Sequence, residues 1–270
     1  MRSEHHITSG RASLFAETVG RGDPVVFLHA AVCDRRMWEA QTDQVAESNT
    51  AIAYDRRGHG RTHAEAESYS AVADLMAVLD TLAEGKPAIL VGCSQGARVA
   101  LDAALLHPSR MRGLVLVSPT VAGAADPVHS PAVHELMEEL KRVGASGDQE
   151  RINALKARLF LDGPFENEGR VQGAARKLFL EMNGAILSAP YRGSSIDNVA
   201  AYQRLREIHV PALVLWGACD FPHIRARSRQ VAALLPYGTG TELAGTAHLP
   251  GLDRPAELNA RLLAFIAGEA

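Results

Sequence analysis

Cysteine is scarce in this 270-residue chain: Cys33, Cys93 and Cys219 are its only three. So few, and odd in number, they exclude a disulfide scaffold, and no two have the spacing of a metal-binding pair. An excess of charge of either sign is also missing. Lys and Arg total 28 against 31 Asp and Glu, a formal net charge of −3, which excludes the electrostatic footprint of a nucleic-acid or membrane-surface binder. The purely apolar runs are a few residues long, far below the ~20 that a membrane-spanning helix needs. The opening segment MRSEHHITSG lacks the apolar stretch of a secretion signal, so the expected location is cytoplasmic. Aromatics make up only 5%, and the core must come from Ala, Val, Leu and Ile. At 47% hydrophobic and 22% charged, the chain has ample material for that core, and general disorder is excluded.

The first third alternates strand-like and helix-like segments. Residues 12–19, 25–29 (VVFLH), 51–54 (AIAY), 88–92 (AILVG) and 114–117 (LVLV) read as strands. The continuous apolar runs suit strands covered on both faces. Helices are expected at 36–47, at 71–84, where Val72, Leu75, Met76, Leu79 and Leu82 share one face, and at 95–106. Such alternation gives parallel strands with right-handed crossovers. It stops between 121 and 207, where only helical stripes occur, such as Val133, Leu136, Met137, Leu140 and Val143. It resumes with a strand at 212–216, a helix near 224–235, a weak strand near 239–244 and a last helix at 255–267. The expectation is an α/β core from 1–120 and 208–270, with a mostly parallel, doubly wound sheet, and an all-helical insertion at 121–207.

Gly92-Cys93-Ser94-Gln95-Gly96 fits G-x-S-x-G between a buried strand and a helix. That turn is sharp, admits only small residues around its serine, and lifts the hydroxyl to the mouth of the sheet. The helix N-terminus that follows favours developing negative charge. A serine hydroxyl needs a base, and the base needs an orienting carboxylate, in the chain order Ser, acid, His. His248 stands in a loop before the last helix, and Asp220 follows the strand 212–216. Asp126, after the strand 114–117, is the rival acid. An oxyanion needs two backbone N–H donors. Gln95, after the nucleophile, is one; Ala31, in the His29-Ala30-Ala31-Val32 loop, is the other.

With these residues in place, the sequence resembles an α/β-hydrolase of the serine-nucleophile branch. The resemblance runs from the oxyanion loop at 29–31 through Asp55-Arg56-Arg57-Gly58-His59-Gly60 and the elbow 92–96 to Asp220 and His248. It implies that 121–207 is a cap over the active site and that the turn 55–60 braces the neighbouring loops. Arg36-Met37-Trp38 and the chain length are similar to those of enol-lactonase-like and small carboxylesterase members. Haloalkane dehalogenases and epoxide hydrolases carry aspartate at the elbow, and Ser94 separates the chain from both.

The activity implied is hydrolysis of a carboxylic ester or lactone through an acyl-enzyme, with Ser94, Asp220 and His248 catalytic and no metal or organic cofactor. C–C bond hydrolysis or perhydrolysis by the same triad, and a small-molecule receptor with vestigial hydrolysis, are the alternatives. Phe221 and Leu249 are expected to join Ala31 and Gln95 around the substrate. An apolar roof favours neutral acyl groups, because desolvating an unpaired carboxylate is costly; Arg142, Arg158, Arg176 and Arg192 are the candidate anchors for an acidic substrate. The three cysteines read as small apolar fillers. The partner is a small-molecule ester or lactone, and a homodimer stays open.

Overall fold

A computed structural model describes residues 2–269. In chain order it runs β1 (Ser3–Ser9), β2 (Ala12–Gly20), β3 (Pro24–Leu28), α1 (Glu39–Val45), β4 (Thr50–Tyr54), the short β5 (His63–Ala64) and α2 (Ala71–Leu82). Then come β6 (Ala88–Cys93), α3 (Gln95–Leu106) and β7 (Met111–Val117). Before the sheet resumes, the chain forms α4 (Pro131–Ser146), α5 (Gln149–Lys156), α6 (Gly173–Ser188) and α7 (Ala201–Arg204). It closes with β8 (Ala212–Gly217), α8 (Pro222–Leu234), β9 (Gly238–Leu243), α9 (Pro250–Asp253) and α10 (Pro255–Ala267).

These strands make one nine-stranded sheet in the order β1-β2-β4-β3-β6-β7-β8-β9, with β5 paired to β2. From β4 to β9 every neighbouring pair is parallel. β2 pairs antiparallel with β1, β4 and β5. The sheet is therefore mixed, mostly parallel, and flanked by helices. Alternation along each central strand divides the core in two, because successive side chains point to opposite faces. Val26, Leu28, Leu90 and Leu116 pack with Leu75, Leu79 and Leu101 of α2 and α3. Val25, Phe27, Val91 and Val115 pack on the other face with Trp38, Leu258 and Leu262. Few aromatics suffice because these strands are buried along their whole length.

The departures from the sequence reading have local causes. β1 shows no apolar alternation, since Ile7 is its one buried residue; it holds by pairing with β2. The helix expected at 36–47 opens as a 3₁₀ turn, Arg35–Trp38, after Asp34 caps the Arg36 N–H at 3.0 Å. The segment 121–207 holds more than helices. It has irregular chain at 121–130, 163–172 and 189–200, and Ser195 bridges to Tyr69. Its α5 continues into a π-helical turn, Ala157–Asp162. Among the described residues no helix is long and apolar enough to cross a membrane.

Candidate active site

Ser94 stands between the end of β6 and the start of α3, with φ 53° and ψ −112°. A non-glycine residue adopts this region only where its surroundings enforce it. They do so by close approach. A Cβ on Gly96 would lie 2.2 Å from the Leu28 carbonyl oxygen, and one on Gly92 would lie 2.6 Å from the Ala97 nitrogen. The Ser94 N–H donates to the Val117 oxygen at 2.9 Å. This is why both glycines flank the serine.

His248 is 3% exposed and Asp220 2%. His248 Nδ1 lies 2.9 Å from Asp220 Oδ2. That same oxygen accepts from Ser118 Oγ at 2.8 Å, and Asp220 Oδ1 accepts from the Phe221 N–H at 2.7 Å. The carboxylate of Asp220 thus meets Ser118, Phe221 and the imidazole at once. With Nδ1 engaged, Nε2 is the free face of the ring. The His248 main chain abuts the turn at Ser94, where Cys93 Sγ donates to its carbonyl at 3.6 Å. Ser94 Oγ has no hydrogen-bond partner among the described residues. Asp126 is exposed and lines a cavity of about 240 Å³ with His223 and Arg227.

The loop after β3 is held by a relay that residue patterns did not show. The Arg56 N–H donates to His29 Nε2 at 3.0 Å, which leaves the ring hydrogen on Nδ1 to donate to the Ala30 oxygen at 2.8 Å. The Cys33 N–H donates to the same oxygen at 3.2 Å. A trans peptide points its C=O and N–H in opposite directions, so anchoring the Ala30 carbonyl turns the Ala31 N–H away from His29. Neither the Ala31 nor the Gln95 N–H donates to a protein acceptor among the described residues, and both residues are exposed. Burial and the neighbouring Arg56 keep the His29 imidazole well below its ordinary range, and hence neutral.

Phe221 and Leu249 are buried, 2% and 0% exposed. Phe221 packs with Val133 and Leu159 of the insertion, and Leu249 joins the core around Trp38. Phe160 is the aromatic that faces His248: its ring centroid is 5.4 Å from that of His248 and 5.7 Å from that of Phe221. Ser118 and Phe160 escaped the sequence reading because neither belongs to a motif. Of the four arginines, Arg176 is committed to buried Asp162 at 2.7 Å. Arg142 and Arg158 share a cavity of about 450 Å³ with Glu135, Glu139 and Glu166. Arg192 lies against Gly58. The turn at 55–60 is a brace in its geometry. Asp55, fully buried, accepts from the Arg35 N–H at 2.9 Å, from Arg35 Nη1 at 2.9 Å and from the Arg61 N–H at 2.8 Å. Burial pushes the Cys33 and Cys93 thiols up, away from the reactive thiolate.

A sequence model of the alpha/beta hydrolase family matches residues 25–261. The chain belongs to this family. It is 30% identical over 229 residues to the 2-(acetamidomethylene)succinate hydrolase of Mesorhizobium japonicum, covering 80% of this chain and 79% of that protein. It is 27% identical over 262 residues to the pimeloyl-[acyl-carrier protein] methyl ester esterase of Chromobacterium violaceum, covering 89% and 93%. The solved structure of Est816, described as an N-acyl homoserine lactone degrading enzyme, is similar at TM-score 0.73 and 27% identity, covering 96% of this chain and 99% of that one. These relatives of the present alpha/beta hydrolase support an ester-cleaving enzyme without naming its substrate.

Proposed function

We propose that this alpha/beta hydrolase cleaves a carboxylic ester or lactone of a small, mainly neutral substrate through an acyl-enzyme on Ser94. The observations that carry the reading are the 2.9 Å contact of His248 Nδ1 with Asp220 and a serine in a strained turn whose neighbour Cys93 donates to the His248 carbonyl. Ser94 Oγ attacks the carbonyl carbon while His248 Nε2 takes its proton, and Asp220 holds the imidazole and its charged form. The oxyanion forms against the N–H groups of Ala31 and Gln95. His248 then protonates the leaving alkoxide, and a water takes the same route to release the acid. In this reading residues 121–207 cap a core made of 1–120 and 208–270. Phe160 and the apolar side chains around Phe221 exclude water from the base.

A panel of p-nitrophenyl esters and lactones tests the reading. Turnover that disappears in Ser94→Ala, with folding retained, is expected; full activity in Ser94→Ala contradicts it. A second reading, an acidic substrate, is favoured by the relative whose name specifies a succinate. A kcat/KM at least about tenfold higher for a carboxylate-bearing lactone than for its methyl ester selects it, since one unpaired buried charge costs several kcal/mol. Arg142, Arg158 and Arg192 are then the anchors to test.

A further inference from the structure

Arginines crowd the brace, and its other members have acids to meet. Arg57 Nε donates to Asp74 at 2.8 Å, Arg35 Nη2 lies 2.8 Å from Glu17, and Arg61 Nη1 lies 2.7 Å from Glu4. Arg56 is different. It is 7% exposed, and among the described residues no carboxylate lies within 4.0 Å of its guanidinium. Its Nε is buried without a hydrogen-bond partner among them. A guanidinium keeps its proton at any working pH, and an unpaired buried charge opposes folding. Its hydrogen bonds go elsewhere: Nη1 to Gln95 Oε1 at 2.9 Å, and Nη2 to the His29 carbonyl at 2.8 Å. Its own N–H sets the His29 tautomer that anchors the Ala30 carbonyl. One residue thus grips both segments that carry the expected oxyanion donors.

We propose that Arg56 is a positioning residue for the oxyanion: it locks the Ala31 and Gln95 segments in register and leaves an uncancelled positive charge beside the place where negative charge develops. The proposal rests on the hydrolase reading above. Fixed dipoles and charges set in place beforehand act on the charge that appears in the transition state, so losing Arg56 lowers kcat and leaves KM nearly unmoved.

Phenylboronic acid reads this without turnover. Ser94 Oγ bonds to boron, its proton passes to His248 Nε2, and the boron becomes a tetrahedral anion with no leaving group. Calorimetric Kd is measured for the wild type, Arg56→Met, Arg56→Lys and Gln95→Ala, with kcat and KM for p-nitrophenyl acetate alongside. The Gln95 side chain is exposed, so Gln95→Ala folds even if Arg56→Met does not. The expected result is a Kd weakened roughly 30-fold in Arg56→Met and about tenfold in Gln95→Ala, with Arg56→Lys between wild type and Arg56→Met, below the 10²–10³ cost of deleting a direct donor. Matching losses in kcat at near-constant KM complete it. A wild type that binds boronate and hydrolyses the ester, while every folded variant binds boronate within twofold of it, overturns the proposal alone. A wild type that does neither overturns the hydrolase reading and the proposal together.

Discussion

The turn at Ser94 and the insertion between β7 and β8 are held by opposite means. Around Ser94 the backbone itself leaves no room: a side chain on Gly96 meets the Leu28 carbonyl, and the serine's own φ is forced positive. The insertion is fastened by side chains. Buried Asp162 accepts from the Gly169 N–H at 2.8 Å, the Val171 N–H at 2.9 Å and Arg176. Arg170 joins the Leu161 and Asp162 carbonyls to the Gly245 carbonyl of the His248 loop and to Asp253 of α9. Where backbone approaches backbone, residue identity is dictated and the geometry tolerates no substitute. Where a few ion pairs bridge two elements, many sequences serve, and position is easier to disturb.

The largest effect is expected at the proposed catalytic acid. Asp220→Asn is expected to lower kcat by about 10⁴ by leaving the imidazole in the wrong tautomer, with Asp126→Asn losing less than about tenfold. Steady-state rates on one ester check both, and the reverse pattern moves the acid to Asp126. Next in size is Gly96→Ala. Its Cβ has no space, so thermal melting should show a loss above roughly 3 kcal/mol or no folded protein at all. A melting temperature within a few degrees of wild type sinks the claim that the backbone dictates this turn.

Arg170→Met tests the other side of the contrast. It strands Asp253, which is 6% exposed, and a broken buried pair costs up to about 3–5 kcal/mol. Because Arg170 is partly exposed, roughly 2 kcal/mol is expected, together with faster proteolysis within 121–207. Unchanged proteolysis of that segment means the fastening lies elsewhere.

The smallest effect is a gain. Asp102 on α3 is 2% exposed, its Oδ1 is unpartnered among the described residues, and Arg98 is no nearer than 3.8 Å. Burial pushes its carboxyl up to about 6. The unfolded carboxyl titrates near ~3.9, so the folded chain binds the proton more tightly. Its charge therefore opposes folding above pH 6, and this opposition disappears as the pH falls below about 4. Asp102→Asn should stabilise by about 1–2 kcal/mol at pH 8 and by nothing measurable at pH 4. Denaturant midpoints at the two pH values decide it; an equal gain at both removes burial of the charge as the cause.

The same contrast explains what was legible beforehand. The central strands announce themselves as runs such as VVFL and AILVGC, because burial on both faces demands apolar residues throughout. Gly92, Ser94 and Gly96 are legible because the turn excludes Cβ atoms. Asp220 and His248 follow from chain order and loop position, and they meet at Nδ1 and Oδ2. β1 stays hidden because pairing with β2, and not an apolar face, makes it a strand. Ser118, Phe160 and the His29–Arg56 relay stay hidden because each depends on residues far apart in the chain. Phe221 packs against the insertion and Leu249 joins the core around Trp38, partners distant in the chain that their positions beside Asp220 and His248 do not reveal.

Peptide mapping after reaction with a fluorophosphonate reads out the proposed nucleophile itself. One adduct is expected, on Ser94, absent from Ser94→Ala and formed roughly 10³–10⁴ times more slowly in Asp220→Asn, where the base is mis-set. An adduct on any other residue, or undiminished labelling of Asp220→Asn, contradicts the hydrolase reading.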